Sequence, residues 1–304
     1  MIKEDIKNLS TEARNVNSYN IDTKSTKDIL SIINEEDKKV AYLIQEELDD
    51  IANVVDSVVC AFKKGGRLIY LGAGTSGRMG LIDAVECRPT YSVPDSMVMG
   101  IIAGGKDAFV KAKEGAEDSI EEAVNDLKNI NLCDKDIVVG IAASGRTPYV
   151  IGGIEYANKI GANTVAIATV KESKIGQIAN LKIEVNTGAE VVSGSTRMKA
   201  GTAQKLICNM ISTASMIKLG KVYNNLMVDV SATNQKLVKR AVNIIQEVSG
   251  ASEAVCLEKM NKYKNVKKAI ISILLDIDDD AEIDELLKKN DDNLRNIIGD
   301  RWYG

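Results

Sequence analysis

Two stretches of the chain join an apolar run to a small, hydroxyl-rich loop: Arg67-Leu-Ile-Tyr-Leu-Gly-Ala-Gly-Thr-Ser-Gly-Arg78 and Asp136-Ile-Val-Val-Gly-Ile-Ala-Ala-Ser-Gly-Arg-Thr-Pro148. Glycine lets a backbone come close to a ligand, Thr75, Ser76, Ser144 and Thr147 offer hydroxyl donors, and a helix after each loop aims its first amides at an anion. A pair of such cradles at strand ends points to one phosphorylated small molecule. Gly72-x-Gly74-x-x-Gly77 fits the spacing of a dinucleotide fingerprint, yet carries hydroxyls where that fingerprint is plain, and the Lys-Ser/Thr ending of a P-loop is absent. Arg78 and Arg146 follow glycines at helix starts, where each either holds the phosphate or pairs with a surface acid.

A third segment, Gly188-Ala-Glu-Val-Val-Ser-Gly-Ser-Thr-Arg-Met-Lys-Ala-Gly-Thr-Ala203, puts Ser195 or Thr196 as N-cap before a helix whose first turns carry Arg197 and Lys199. Cations are disfavoured there by the helix dipole, so an external anion would account for them; a solvated charged turn is the plainer alternative. The chain has no histidine, which leaves carboxylates, lysine and tyrosine for acid–base work near neutral pH and removes the histidine-based catalytic metal sites. Glu86 stands near the end of a helix that Pro89 should stop, where the dipole and apolar neighbours favour the protonated acid, while Arg88 could oppose that shift by pairing. Glu117 is read at the edge of an apolar helical stripe of Ala116, Ile120, Val124 and Leu127.

The elements that must carry these groups follow from periodicity. Short apolar runs at 67–72, 97–103, 136–142, 163–169 and 181–185 alternate with helical patterns at 77–87, 107–130, 148–160 and 196–218. That alternation predicts an α/β fold with a parallel sheet flanked by helices, whose ligand sits outside the carboxyl ends of the strands. Ahead of it lie a polar arm over 1–24, a short helix capped at Ser25 and a long helix from Glu36 to the Gly65-Gly66 stop. After Asn234 only short helical patterns remain, giving expected domains of 1–54, 55–220 and 221–304, the last small and helical.

Among 304 residues, 45% are apolar and the net charge is −4, which fits a globular core and gives no basic field for nucleic acid. No apolar run approaches a membrane span and the N-terminus lacks a signal core, so we expect a cytoplasmic protein. The scattered cysteines Cys60, Cys87, Cys133, Cys208 and Cys256 form no C-x-x-C pair, arguing against disulfides and zinc.

The loops resemble those of the sugar isomerase (SIS) family, and the combination is similar to the N-acetylmuramic acid 6-phosphate etherases. The matching stretches are Ser10–Asn15, Leu71–Arg78, Ala112–Asp118, Gly140–Tyr149, Gly194–Ala203 and Asn225–Asp229; Arg88 stands where a second proline is usual and Ser193 where threonine is usual. The resemblance implies elimination of the lactyl ether of N-acetylmuramate 6-phosphate followed by hydration, without cofactor or metal, in a homodimer. It places the proton donor on Glu86 and a second essential carboxylate on Glu117, the base in our assignment, although the residues alone allow the reverse. The expected sugar-phosphate contacts are Gly74, Thr75, Ser76, Gly77, Ser144, Gly145, Thr147, Glu190, Ser195, Thr196 and Lys199, with Glu12, Arg14 and Asn15 reaching a partner's site. An aldose–ketose isomerase and a sugar-phosphate-sensing regulator are the alternatives; only the etherase releases D-lactate.

Overall fold

The strands come from aliphatic and β-branched runs: β1 (Leu68–Gly72), β2 (Val98–Ile102), β3 (Ile137–Ala142), β4 (Asn163–Ala168) and β5 (Leu181–Glu184). All pair in parallel, in the order β2-β1-β3-β4-β5. A computed structural model describes residues 11–111, 113–230 and 235–300; the first part of the expected arm with Ser10, Ala112 and the stretch 231–234 with Asn234 lie outside the described residues. β1 and β3 are buried along their whole length, as sheets covered on both faces require. Ile69, Leu71 and Val138 pack on one side with Leu127 of α4 (Ile120–Asn129) and Val150 and Ile154 of α5 (Pro148–Ile160).

The described residues form two compact units, one from within 11–85 and 95–212, the other from within 86–94 and 213–300. The expected boundaries at 54/55 and 220/221 fall elsewhere, because α1 (Thr26–Gln45) and α2 (Leu48–Lys63) belong to the sheet unit, while α3 (Gly74–Tyr91) and α7 (Lys199–Lys218) run on into the second. α6 (Lys174–Ile178), capped by Ser173, links β4 to β5. The second unit holds a short antiparallel pair, β6 (Val222–Tyr223) and β7 (Leu226–Met227), and helices α8 (Gln235–Ser249), α9 (Glu253–Tyr263), α10 (Val266–Leu275), α11 (Asp280–Lys289) and α12 (Leu294–Ile298). Ile245, Val248, Ile270, Ile271 and Ile283 fill its core. Its buried Lys267 bonds Asp229 at 3.0 Å and Asp292 at 2.7 Å, as a desolvated ammonium must.

Three local expectations need correction. The N-terminal helices break at Glu46 and Glu47, not ahead of Glu36: α1 starts at its Ser25 cap and runs to Gln45, and the turn lets the buried Glu47 pair with Lys171. Helix does not fill 107–130, because Gly104, Gly105 and Gly115 adopt positive φ and leave only isolated turns before α4. α3 passes through Pro89 to Tyr91, giving up the bond that an N–H at position 89 would make to the Val85 carbonyl. Among the described residues, no helix is long and apolar enough to cross a membrane.

The start of β1 is clasped to that of β3. Arg67 donates from Nε (3.0 Å) and Nη2 (2.6 Å) to the two oxygens of buried Asp136, which also accepts from the amides of Arg67 and Cys133. Burial pushes the Asp136 carboxyl up, but the Arg67 and Cys133 bonds outweigh it and the group ends below its usual range. Asp136→Ala should leave the guanidinium without its carboxylate, with only the carbonyls of Ile130 and Asn131 to bond, and lower stability by about 3–5 kcal/mol, read by chemical denaturation; a loss below about 1 kcal/mol would show that the clasp is dispensable.

Candidate functional site

β1 and β3 are neighbours in register, with Gly72 opposite Ile141, so the loops that follow them open side by side. Between them is a cavity of about 380 Å³ lined by Gly74, Thr75, Ser76, Ser144, Arg146, Thr147 and Thr196, with Glu12, Glu117 and Asp118. That size suits a small phosphorylated sugar. α3 begins at Gly74 and its first bond runs from the Gly77 amide to Ala73 O, leaving the earlier first-turn amides without helical partners. α5 begins with Pro148 after Thr147, whose hydroxyl makes no capping bond, whereas Ser119 and Ser173 do cap their helices. Gly145 holds φ +65°, and a Cβ there would lie 2.3 Å from Ser173 Cβ; only glycine allows the turn that presents Ser144. The hydroxyls of Thr75, Ser76, Ser144, Thr147 and Thr196 converge with these amides and make no hydrogen bond to other described residues.

Gly77, Gly145, Ser195, Glu190, Lys199 and Glu86 do not line this cavity. The third segment differs from its reading: α7 starts at Lys199, not after Ser195 or Thr196, and the carboxylate of fully buried Glu190 accepts from the amides of Lys199 (3.0 Å) and Ala200 (2.9 Å). The anion that the helix N-terminus calls for is internal. Lys199 is buried as well, its ammonium 2.7 Å from Glu36 of α1. Burial pushes Glu36 up, but bonds from Lys199, Lys39 and Asn17 outweigh it and hold the group at about 2.

Glu117 reaches the cavity from a single turn, Ala116–Asp118, ahead of the Ser119 cap and not from a helical stripe. Asp118 and Glu12 line the same cavity; the former escaped the sequence reading because an acid beside a capping serine looks solvated. Arg14 stacks on Tyr19, and Asn15 is buried and bonds Ala189 O, so this part of the arm is fastened to its own chain. Glu86 is exposed on α3, ten residues beyond Ser76, about 15 Å further along the helix axis. Arg78 bonds the carbonyls of Phe109 and Ala108, which is neither a phosphate contact nor a surface ion pair. Behind the first loop, buried Asp83 accepts from Tyr70, Asn209 and Ser212; burial pushes its carboxyl up although these bonds oppose it. Among the described residues, no group of three or more His, Cys, Asp or Glu side chains is arranged to hold a metal.

Two curated N-acetylmuramic acid 6-phosphate etherases, from Bacillus cereus and Bacillus mycoides, are each 56% identical to this chain over 285 residues, covering 93% of it and 96% of each relative. The chain belongs to the N-acetylmuramic acid 6-phosphate etherase family. Family models agree: the glucokinase regulatory protein N-terminal SIS domain matches residues 50–158, the SIS domain 119–214, and the C-terminal lid domain of glucokinase regulatory protein 224–272. The sheet is also that of an Escherichia coli CFT073 protein, c3406, solved as a complex, with a TM-score of 0.51, 15% identity, and 66% of this chain and 97% of that one covered. The family read from the sequence is thereby borne out.

Two expectations follow from this geometry. Ser76→Ala and Ser144→Ala should each weaken binding of a 6-phosphorylated sugar by about 1.5–3 kcal/mol in calorimetry, the worth of a hydrogen bond to a charged group; unaltered affinity in both would remove the cradle. Glu36→Gln should destabilise the protein at neutral pH. A carboxylate whose folded value is lowered from 4.5 to about 2 stabilises above its unfolded value and loses that contribution as pH falls through the folded one, so thermal melts of variant and wild type should converge between pH 4.5 and 2.

Proposed function

We propose that this chain is a carbon–oxygen lyase that cleaves the D-lactyl ether of N-acetylmuramate 6-phosphate, giving N-acetylglucosamine 6-phosphate and D-lactate in cell-wall amino-sugar recycling. The observation that carries the reading is the cluster of unengaged hydroxyls and first-turn amides around a cavity that also holds a carboxylate, Glu117. Hydroxyls and helix N-termini suit the phosphate, and family membership supplies the substrate. With the sugar ring open, the C2 proton is alpha to the aldehyde. Glu117 takes that proton, the electron pair forms the C2–C3 double bond, and the C3–O bond breaks as an acid protonates the lactyl oxygen. Water then adds across the double bond, its hydroxyl to C3 and a proton to C2. Carboxylates suffice for both transfers, in keeping with a chain that has no histidine.

Glu86 is the acid in this proposal, and the reach of α3 supports one way for it to take part. It stands several turns along α3 from its own chain's cradle, beside the exposed Ile82 and Val85, an apolar surface that a second copy would cover. The proposed enzyme is therefore a cytoplasmic homodimer in which Glu86 of one copy serves the cavity of the other.

Incubation with N-acetylmuramate 6-phosphate should release D-lactate; isomerisation without lactate would make the chain an isomerase, and binding without turnover a sensor. Glu117→Gln and Glu86→Gln should each lose about 10²- to 10⁴-fold in rate. Mixing the two inactive variants under subunit exchange should restore about a quarter of wild-type activity, because about half the dimers are mixed and each mixed dimer holds one complete site. No recovery on mixing would place both groups in one chain.

A further inference from the structure

Beside the cavity lies a second depression, of about 180 Å³, lined by Ala73, Gly74, Arg78, Ala103, Ala108, Lys113, Glu114, Gly115, Ala116 and Glu117. Ala73, Gly74 and Glu117 border both volumes. Resting on the etherase reading, we infer that this depression receives the carboxylate of the substrate's lactyl group, with Lys113 as the specificity-determining cation and Arg78 as part of its wall.

The substrate carries anions at both ends of its reacting region: the phosphate on C6 and the lactyl carboxylate hung from C3. The cradle and the depression share Glu117, so a sugar with its phosphate in the first and its lactyl carboxylate beside Lys113 in the second would have C2 and C3 against the carboxylate they share. Arg78 donates from Nε (2.9 Å) and Nη2 (2.7 Å) to the carbonyls of Phe109 and Ala108, fixing the turn that walls the depression. The stem of Lys113 lies along Gly104, where even a Cβ would come within 2.9 Å of its Cδ. Its ammonium has no hydrogen bond or ion pair with any described residue, although Glu114 and Glu117 line the same depression. A positioned, unpaired cation next to the reacting atoms suits a carboxylate ligand.

The test separates the lactyl end from the rest of the molecule. Dissociation constants for N-acetylmuramate 6-phosphate and for N-acetylglucosamine 6-phosphate, which lacks the lactyl group, are measured by calorimetry in a Glu86→Gln background, with and without Lys113→Met. Lys113→Met should weaken the lactyl-bearing sugar by about ten-fold or more and leave the lactyl-free sugar within about two-fold, while Lys113→Arg should restore most of the lost affinity. Equal weakening of both sugars, or no change in either, overturns the subsite. A wild-type chain that binds the lactyl sugar without releasing D-lactate would remove the etherase reading instead, and the affinity comparison would still decide the subsite.

Discussion

Everything at the site depends on β1 and β3 being direct neighbours in a parallel sheet. Parallel pairing sends both chains out of the same edge, and register sets Gly72 opposite Ile141, so the two loops end at one height. Each then turns into a helix whose unpaired amides face the same space. Neither loop alone encloses an anion. Side by side they form a concave surface of amides and hydroxyls, and the Arg67–Asp136 clasp at the opposite end of the same two strands fixes the pairing.

The sheet was legible in the sequence because each strand is a short apolar run bounded by turn residues, and the hydroxyl loops were legible because their composition is unusual for a tight turn. What periodicity could not show is where a helix is interrupted. The stripe through Ala116, Ile120 and Leu127 reads as one helix, yet the positive φ of Gly115 puts Glu117 on an isolated turn and swings it and Asp118 to the cavity. Likewise, Lys199 after Arg197 reads as a ligand-seeking pair of cations, since nothing local announces that Glu36, 163 residues earlier, neutralises one of them. Long-range partners of buried charges leave no local pattern.

Those internal partners share a logic. Glu190 satisfies the start of α7, Glu36 pairs with Lys199 on the same turn, and Asp83 is held by Tyr70 of β1 and by Asn209 and Ser212 of α7. Glu190 and Glu36 hold the start of α7, just after the cavity residue Thr196, and Asp83 holds α3, which begins at the cavity residue Gly74. A missing partner would leave a desolvated charge behind, so these contacts specify one arrangement of α1, α3 and α7 within the sheet unit.

The pairing of Glu36 with Lys199 also orders the events of synthesis. A ribosome releases α1 long before α7, and until Lys199, 163 positions on, has been made, Glu36 has only one cation to meet, its helix neighbour Lys39, and stays half in water. α1 therefore completes its docking only after the last strand of the sheet and the first turn of α7 have been made, and closing so long a loop is slow compared with local contacts. The N-terminal helix, first out of the tunnel, is among the last parts of its unit to settle.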